Sequence, residues 1–177
     1  MNLLSKIDES TIQIEPWNEA DLNLLLSSNT NSMMKYLGGL ENLKEIVSRH
    51  NHYLEMSRIG TGQMFAIILL PYRTKIGTVG YWNRIWDGKL VCEIGWSILP
   101  QFQRRGIATI AVKKAIKKAQ KETKHKYIHA FPAANNIPSN KICEKLNFKF
   151  IKKCNFEYPI GKFMVCNMWR LKTKKKN

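Results

Sequence analysis

Acidic residues are scarce in this chain: 13 Asp and Glu stand against 29 Lys and Arg, a formal net charge of +16 over 177 residues. Such an excess makes a nucleic acid or other polyanion a conceivable partner through counterion release, and it repels polycations at long range, but it names no ligand. Long apolar runs are missing as well. The longest, residues 64–70, stops at Pro71 and falls far short of the ~20 residues a spanning helix needs, so no membrane partner is expected. Residues 1–9 meet Lys6, Asp8 and Glu9 before any apolar stretch reaches signal-peptide length, which argues against export by that route. The cysteines Cys92, Cys143, Cys154 and Cys166 form no C-x-x-C pair and have no histidine at ligand spacing. That pattern excludes a recognisable zinc motif, and the expectation is no metal, with free thiols in a reducing cytoplasm.

What remains is ordinary globular usage. Hydrophobic residues make up 44% and charged residues 24%, which speaks against disorder, and a chain of this length buries roughly 70% of the surface it exposes when unfolded. Residues 11–15 alternate apolar and polar up to Pro16, as a first strand does, and Asn18 can cap a helix that follows. Leu43, Ile46, Val47, His50, Tyr53 and Leu54 repeat at helical spacing ahead of Gly60. Residues 64–70, 75–82 and 90–99 are β-rich and separated by short turns, the pattern of an antiparallel meander. After Gly106 the period changes to that of a long amphipathic helix whose polar face carries Lys113, Lys114, Lys117, Lys118 and Lys121. A strand at 127–131, a short helix at 139–146 and a hairpin of residues 148–158 and 163–171 complete a β-α-α-β-β-β-α-β-α-β-β order. The fold class expected is mixed α/β, with residues 1–171 as one domain and 172–177 as a basic, solvated tail.

The chemistry is concentrated where Trp96-Ser97-Ile98-Leu99 gives way to Pro100-Gln101-Phe102-Gln103-Arg104-Arg105-Gly106-Ile107-Ala108-Thr109. A strand leads through a tight basic loop into the start of a helix. The first N–H groups of a helix have no intrahelical partner, and with the helix dipole they present partial positive charge to an anion. Gly106 allows backbone to approach a ligand closely, Ala108 keeps the next turn clear, and Arg104 and Arg105 can add charge-assisted bonds to phosphate oxygens. The loop lacks the G-x-G-x-x-G of a dinucleotide fold and the G-K-S/T of a P-loop.

Gln103-x-x-Gly106-x-Ala108 following a strand resembles the acetyl-CoA signature of the GNAT N-acetyltransferases. Downstream, Asn136-Ile137-Pro138-Ser139 with Glu144-Lys145-Leu146-Asn147-Phe148 is similar to that family's N-x-x-S/A and E-K-L-G-F segments. Met33-Met34-Lys35-Tyr36-Leu37-Gly38-Gly39 resembles the M-x-Y-L-G-G stretch of its RimJ/RimL-like branch. The resemblance implies a mostly antiparallel central sheet of about seven strands, flanked by helices and splayed between the fourth and fifth strands. It also implies acetyl-CoA as acyl donor, with Ile98 and Leu99 on the pantetheine arm, residues Gln103, Arg104, Arg105, Gly106, Ile107, Ala108 and Thr109 on the diphosphate, and Asn136 and Ser139 beside the arm. Helix capping is the plainer role for Asn136 and Ser139, and the two roles are compatible.

Direct acyl transfer needs an amine freed of its proton and a proton for the departing thiolate. By resemblance Glu93 stands where several relatives keep a base; otherwise it is a solvent-face residue of a half-exposed strand. The chain departs from the family at Cys143, where many members carry a tyrosine acid. Cys143 is either a donor or a small core residue, and Ser139 is the next candidate acid. Asn147 replaces a family glycine at a helix end, a place where asparagine tolerates left-handed backbone. His129 and the five tryptophans, Trp17, Trp82, Trp86, Trp96 and Trp169, read first as packing. The function implied is N-acetyl transfer to a primary amine, a protein N-terminus or a small molecule, by a monomer or homodimer. The competing reading is a CoA-fold module that binds nucleic acid or ribosome through its basic surface without catalysis.

Overall fold

The computed structural model describes residues 7–173. Strand β1 (Ile12–Pro16) stops at its proline, and Asn18 opens a 3-10 turn, Glu19–Asp21, in a capping box: its Oδ1 accepts from the Ala20 N–H, and the Asp21 carboxylate accepts from the Asn18 N–H. Helices α1 (Leu22–Ser28), α2 (Asn31–Met34) and α3 (Leu43–Ile59) follow. Asn42 and Glu45 cap α3 reciprocally, and Gly60 ends it in left-handed conformation. The sequence pattern predicts only two helices in this stretch. The extra one, α2, is four residues capped by Thr30 and too short to carry a period.

The chain then forms β2 (Gly62–Leu69), β3 (Thr74–Trp86), β4 (Lys89–Ile98), α4 (Ile107–Glu122), β5 (Tyr127–Ala130), α5 (Ile137–Lys145), β6 (Lys149–Glu157) and β7 (Phe163–Lys172). The strands make one seven-stranded sheet in the order β1-β2-β3-β4-β5-β7-β6. Every pair is antiparallel except β4 with β5, which are joined by the α4 crossover that a parallel pair requires. Strand β3 runs past residue 82 to Trp86 and turns through Asp87 and Gly88, both with positive φ, the two-residue loop that matches strand twist.

Side-chain alternation divides the core into layers. Phe65, Ile67 and Leu69 of β2 meet the apolar face of α4, built from Ile107, Ala111, Val112, Ala115 and Ala119, while Met64, Ala66 and Ile68 face α1 and α3. Burial on both faces is why residues 64–69 are apolar without a break. A third cluster, Phe131, Phe156, Cys166 and Met168, fills the space beneath β5 and the β6–β7 hairpin. Lys172, expected to open a frayed tail, is the last residue of β7, and the Thr173 hydroxyl bonds to the His125 and Lys126 carbonyls. The remainder of that tail, 174–177, and residues 1–6 of the amino terminus lie outside the described residues. Among the described residues no helix is long and apolar enough to cross a membrane, and no group of three or more His, Cys, Asp or Glu is placed to hold a metal.

Candidate active site

Strands β4 and β5 pair only at Cys92 with Ile128 and at Glu93 with His129, yet β4 continues to Ile98. The two strands part beyond Glu93. Pro132, which has no N–H to donate, follows the end of β5, and its carbonyl accepts instead from the Asn167 N–H at 2.9 Å, so the chain stays with β7. On the other side β4 remains paired with β3 in unbroken register, and the Leu99 N–H donates to the Ile76 carbonyl at 2.9 Å. Antiparallel alternation then turns the backbone groups of Trp96 and Ile98 away from β3 and into the gap. The Gln103 amide donates to the Ile98 carbonyl at 2.8 Å, tying the loop to the strand end.

The loop itself is bent through two left-handed residues, Arg104 (φ 62) and Gly106 (φ 79). The Ile110 N–H returns to the Gly106 carbonyl at 3.3 Å, so the N–H groups of Ile107, Ala108 and Thr109 have no intrahelical acceptor, and no side chain caps the helix. Ile107 is buried and Ala108 packs against the core, which pins this first turn. A Cβ at Gly106 would meet nothing within 4 Å. An open space, a run of unpartnered N–H donors and the positive end of a sixteen-residue helix together suit a diphosphate. Arg104 and Arg105 are exposed beside it.

On the face of the sheet opposite α4 lies a cavity of about 440 Å³, walled by Trp82, Glu93 and Ser97 of the sheet, Arg49 and Tyr53 of α3, Asn136 and Ser139 at the start of α5, and Tyr158 after β6. Gly95 makes room for it: a Cβ there would stand 2.7 Å from the Trp82 ring. Glu93 is 8% exposed. Its Oε2 accepts from the Trp82 indole at 3.2 Å and pairs with Arg84 Nε at 3.2 Å. Burial pushes the carboxyl up to about 7, against the opposing pull of Arg84 and Trp82. A carboxylate that exchanges its proton near neutrality has the acidity a general base needs.

Glu93, Asn136 and Ser139 therefore share one cavity, whereas Cys143 does not reach it. Cys143 is 0% exposed within the α4-side core, and burial raises its thiol to about 12. Ile98, Leu99 and the 103–109 loop lie beyond the cavity wall, along the strand end and helix start. Asn136 Oδ1 accepts from the Ser139 N–H at 3.3 Å, the capping role. Asn147 has φ 61, as its place after α5 asks. His129 is buried and stacks on Phe131 at 6.2 Å outside the cavity lining. Of the tryptophans, Trp82 and Trp96 line the cavity, while Trp17, Trp86 and Trp169 pack with Tyr53, Phe131 and Phe150 respectively.

The sequence reading missed Arg49, Arg84, Tyr158 and Asn140. Arg84 had a signal, since Trp82, Arg84 and Trp86 alternate along a strand that the pattern ends too early. Arg49 and Tyr158 reach the cavity from elements distant in sequence, which no local spacing reveals. Asn140 is buried: its Nδ2 donates to the Ala133 and Asn136 carbonyls, and its Oδ1 accepts from Asn167 and from the Trp169 indole. It locks the first turn of α5, and so Asn136 and Ser139, onto β7.

The family model of the acetyltransferase (GNAT) domain matches residues 11–149. No curated protein matches the chain. Among solved structures, the chain is similar to the Salmonella typhimurium acetyltransferase that modifies the N-terminal serine of ribosomal protein L7/L12, at a TM-score of 0.76 and 14% identity over 93% of this chain and 96% of that one. Spermidine N-acetyltransferase from Vibrio cholerae, in complex with CoA and spermine, gives 0.75 and 17% over 93% and 96%. The microcin C7 self-immunity acetyltransferase MccE, in complex with acetyl-CoA and AMP, gives 0.74 and 20% over 92% of each chain.

Proposed function

This chain belongs to the GNAT family of acetyltransferases, and from that premise we propose that it moves the acetyl group of acetyl-CoA to a primary amine bound in the cavity beside Glu93, the amine belonging to a small molecule or a protein N-terminus. The observation that carries this reading is the alignment of three features along β4: a half-neutral buried carboxylate at Glu93, an unpaired strand edge at Trp96 and Ile98, and a helix start with free N–H groups at Ile107 to Thr109.

Acetyl-CoA supplies an activated thioester. The N–H groups of Ile107, Ala108 and Thr109, with Arg104 and Arg105 beside them, hold the diphosphate, and the open backbone of Trp96 with the Ile98 N–H orients the arm. Ile98 and Leu99 give that edge its buried footing, and Gln103 fixes the loop against it. Glu93 accepts the proton of the attacking ammonium, directly or through water; the new C–N bond forms as the C–S bond breaks. The second proton of the amine nitrogen, lost once the C–N bond has formed, passes through the Ser139 hydroxyl or water it holds to the departing thiolate, since the buried Cys143 thiol faces the core. Asn136, as cap of α5, keeps Ser139 at the gap.

The direct test is amine-dependent release of free thiol from acetyl-CoA by the purified chain, read across a panel of primary amines. Transfer to at least one amine, cut by roughly a hundredfold in Glu93→Gln, is the expected result. A folded native chain that transfers to none, or a Glu93→Gln variant as fast as the native one, contradicts the assignment.

A further inference from the structure

Among the groups that line the acceptor cavity, the charges are unevenly shared. Glu93 is its one carboxylate among the described residues, and Arg84 already pairs with it. A polyamine acceptor carries a second ammonium that would enter a partly buried pocket with no carboxylate to meet it, which is unfavourable unless the group stays in solvent. Two guanidinium groups, in contrast, look into the same space.

Arg49 projects from α3 with its side chain only 13% exposed. One terminal nitrogen is held by Glu41, which stands outside the cavity lining, and the Tyr53 phenol interacts with the guanidinium from the same helix, but Arg49 Nε is buried with no well-formed hydrogen bond of its own. An orphaned guanidinium donor in a pocket wall is costly when nothing accepts from it. Arg84 is fixed by Glu93 at Nε and by the Glu157 carbonyl at its terminal nitrogen, 3.1 Å away, with the Phe156 ring 4.2 Å beneath the guanidinium. That leaves the rest of its planar edge to the cavity. Tyr158 lines the same cavity, its phenol within electrostatic reach of Arg49 and Glu93 and raised to about 12 chiefly by burial, so it stays a donor at neutral pH. Tyr53 stands on the same wall. The cavity is thus rich in fixed donors and poor in acceptors.

We propose that the acceptor is a primary amine that also carries an oxyanion, a carboxylate or a phosphate, held by Arg49 and Arg84 while its amine faces Glu93. The inference rests on the acetyl-transfer reading above and narrows its acceptor. Planar guanidinium groups match the oxygen pairs of carboxylate and phosphate, and an oxyanion at Arg49 would also satisfy the buried Nε donor. Glu93 is already paired with Arg84, so an oxyanion brought to the remaining donors meets no unpaired like charge on the cavity wall.

The test uses the native chain with acetyl-CoA and matched acceptor pairs: an amino acid against its amide, 2-aminoethyl phosphate against 2-aminoethanol, a peptide with an acidic second residue against its neutral counterpart, and spermidine. The expected result is at least about a tenfold higher kcat/KM for the oxyanion member of one pair, carried mostly by KM, with spermidine the poorer acceptor. The pair that discriminates says whether carboxylate, phosphate or peptide side chain supplies the oxyanion. Arg49→Gln should bring the ratio of kcat/KM for the oxyanion member over the neutral member towards one; both acceptors are read on the same preparation, so misfolding, which lowers both alike, leaves that ratio where it was. Equal rates within every pair, or a preference for spermidine, overturn the oxyanion proposal and leave acetyl transfer standing. Transfer to no amine at all removes both.

Discussion

Glu93 and Arg84 meet across adjacent strands, Oε2 of the one 3.2 Å from Nε of the other, in a pocket where burial raises the carboxyl and the guanidinium holds it back. Two opposing effects thus set its acidity near 7, and both are open to mutation. The native kcat/KM should rise with pH through about 7, because only the ionised carboxylate accepts a proton, and then level off. Glu93→Gln should lose that rising limb along with roughly 10²-fold or more in rate. A native profile flat through this range contradicts the role of Glu93 as base.

Arg84 holds the Glu93 proton affinity down. Replacing it in Arg84→Gln should move the rising limb alkaline by about one pH unit, as expected for loss of a cation beside a carboxylate. Steady-state profiles of the two chains, measured side by side, check this. A limb that stays in place would mean that Arg84 does not act on the group titrating in catalysis.

The same shift has a stability consequence. The folded chain keeps the Glu93 proton up to about 7, whereas the unfolded chain releases it near the ordinary 4.5, so the folded state binds more protons between those values. The contribution is fully present below about 4.5 and is lost as pH rises through about 7. Urea midpoints should show the native chain losing stability relative to Glu93→Gln over that window. A constant difference across it would contradict the raised carboxyl.

Asn140 bonds the β5–α5 connection to β7 from a buried position. Asn140→Ala leaves the Trp169 indole and the Ala133 carbonyl without these partners, and the expected loss is ~2–4 kcal/mol of unfolding free energy, read from a denaturant midpoint. Since the same residue bonds the Asn136 carbonyl, weaker acetyl-CoA binding should accompany it. A loss below about 0.5 kcal/mol would show that the network does not anchor α5.

Much of the fold was legible because local chemistry and burial agree. Pro16, the Asn18 cap, left-handed Gly60 and the Asp87-Gly88 turn each mark an element boundary by a short-range mechanism. The loop at Gly106 was legible for the same reason, since a glycine before a small-residue helix start is a local pattern. The cavity was not. Arg49 approaches from α3, Arg84 from a strand that outlasts its apolar pattern, and Tyr158 from beyond β6, so their meeting depends on tertiary packing. Cys143 shows the converse: its sequence position resembles a catalytic one, but its helical phase turns the thiol into the core, away from the cavity lining.

Acetyl-CoA binding by calorimetry, in the native chain, Gly106→Ala and Gly106→Glu, tests the cosubstrate site most directly. The space before Gly106 is open, so Gly106→Ala should cost only the ~1–2 kcal/mol of left-handed backbone strain and retain binding. Gly106→Glu adds bulk and negative charge where the diphosphate is to lie, and should abolish binding in a chain that is otherwise folded. Binding by the native chain and by Gly106→Ala, with none by Gly106→Glu, is the expected result; equal binding by all three, or none by the native chain, would contradict a diphosphate site at the start of α4.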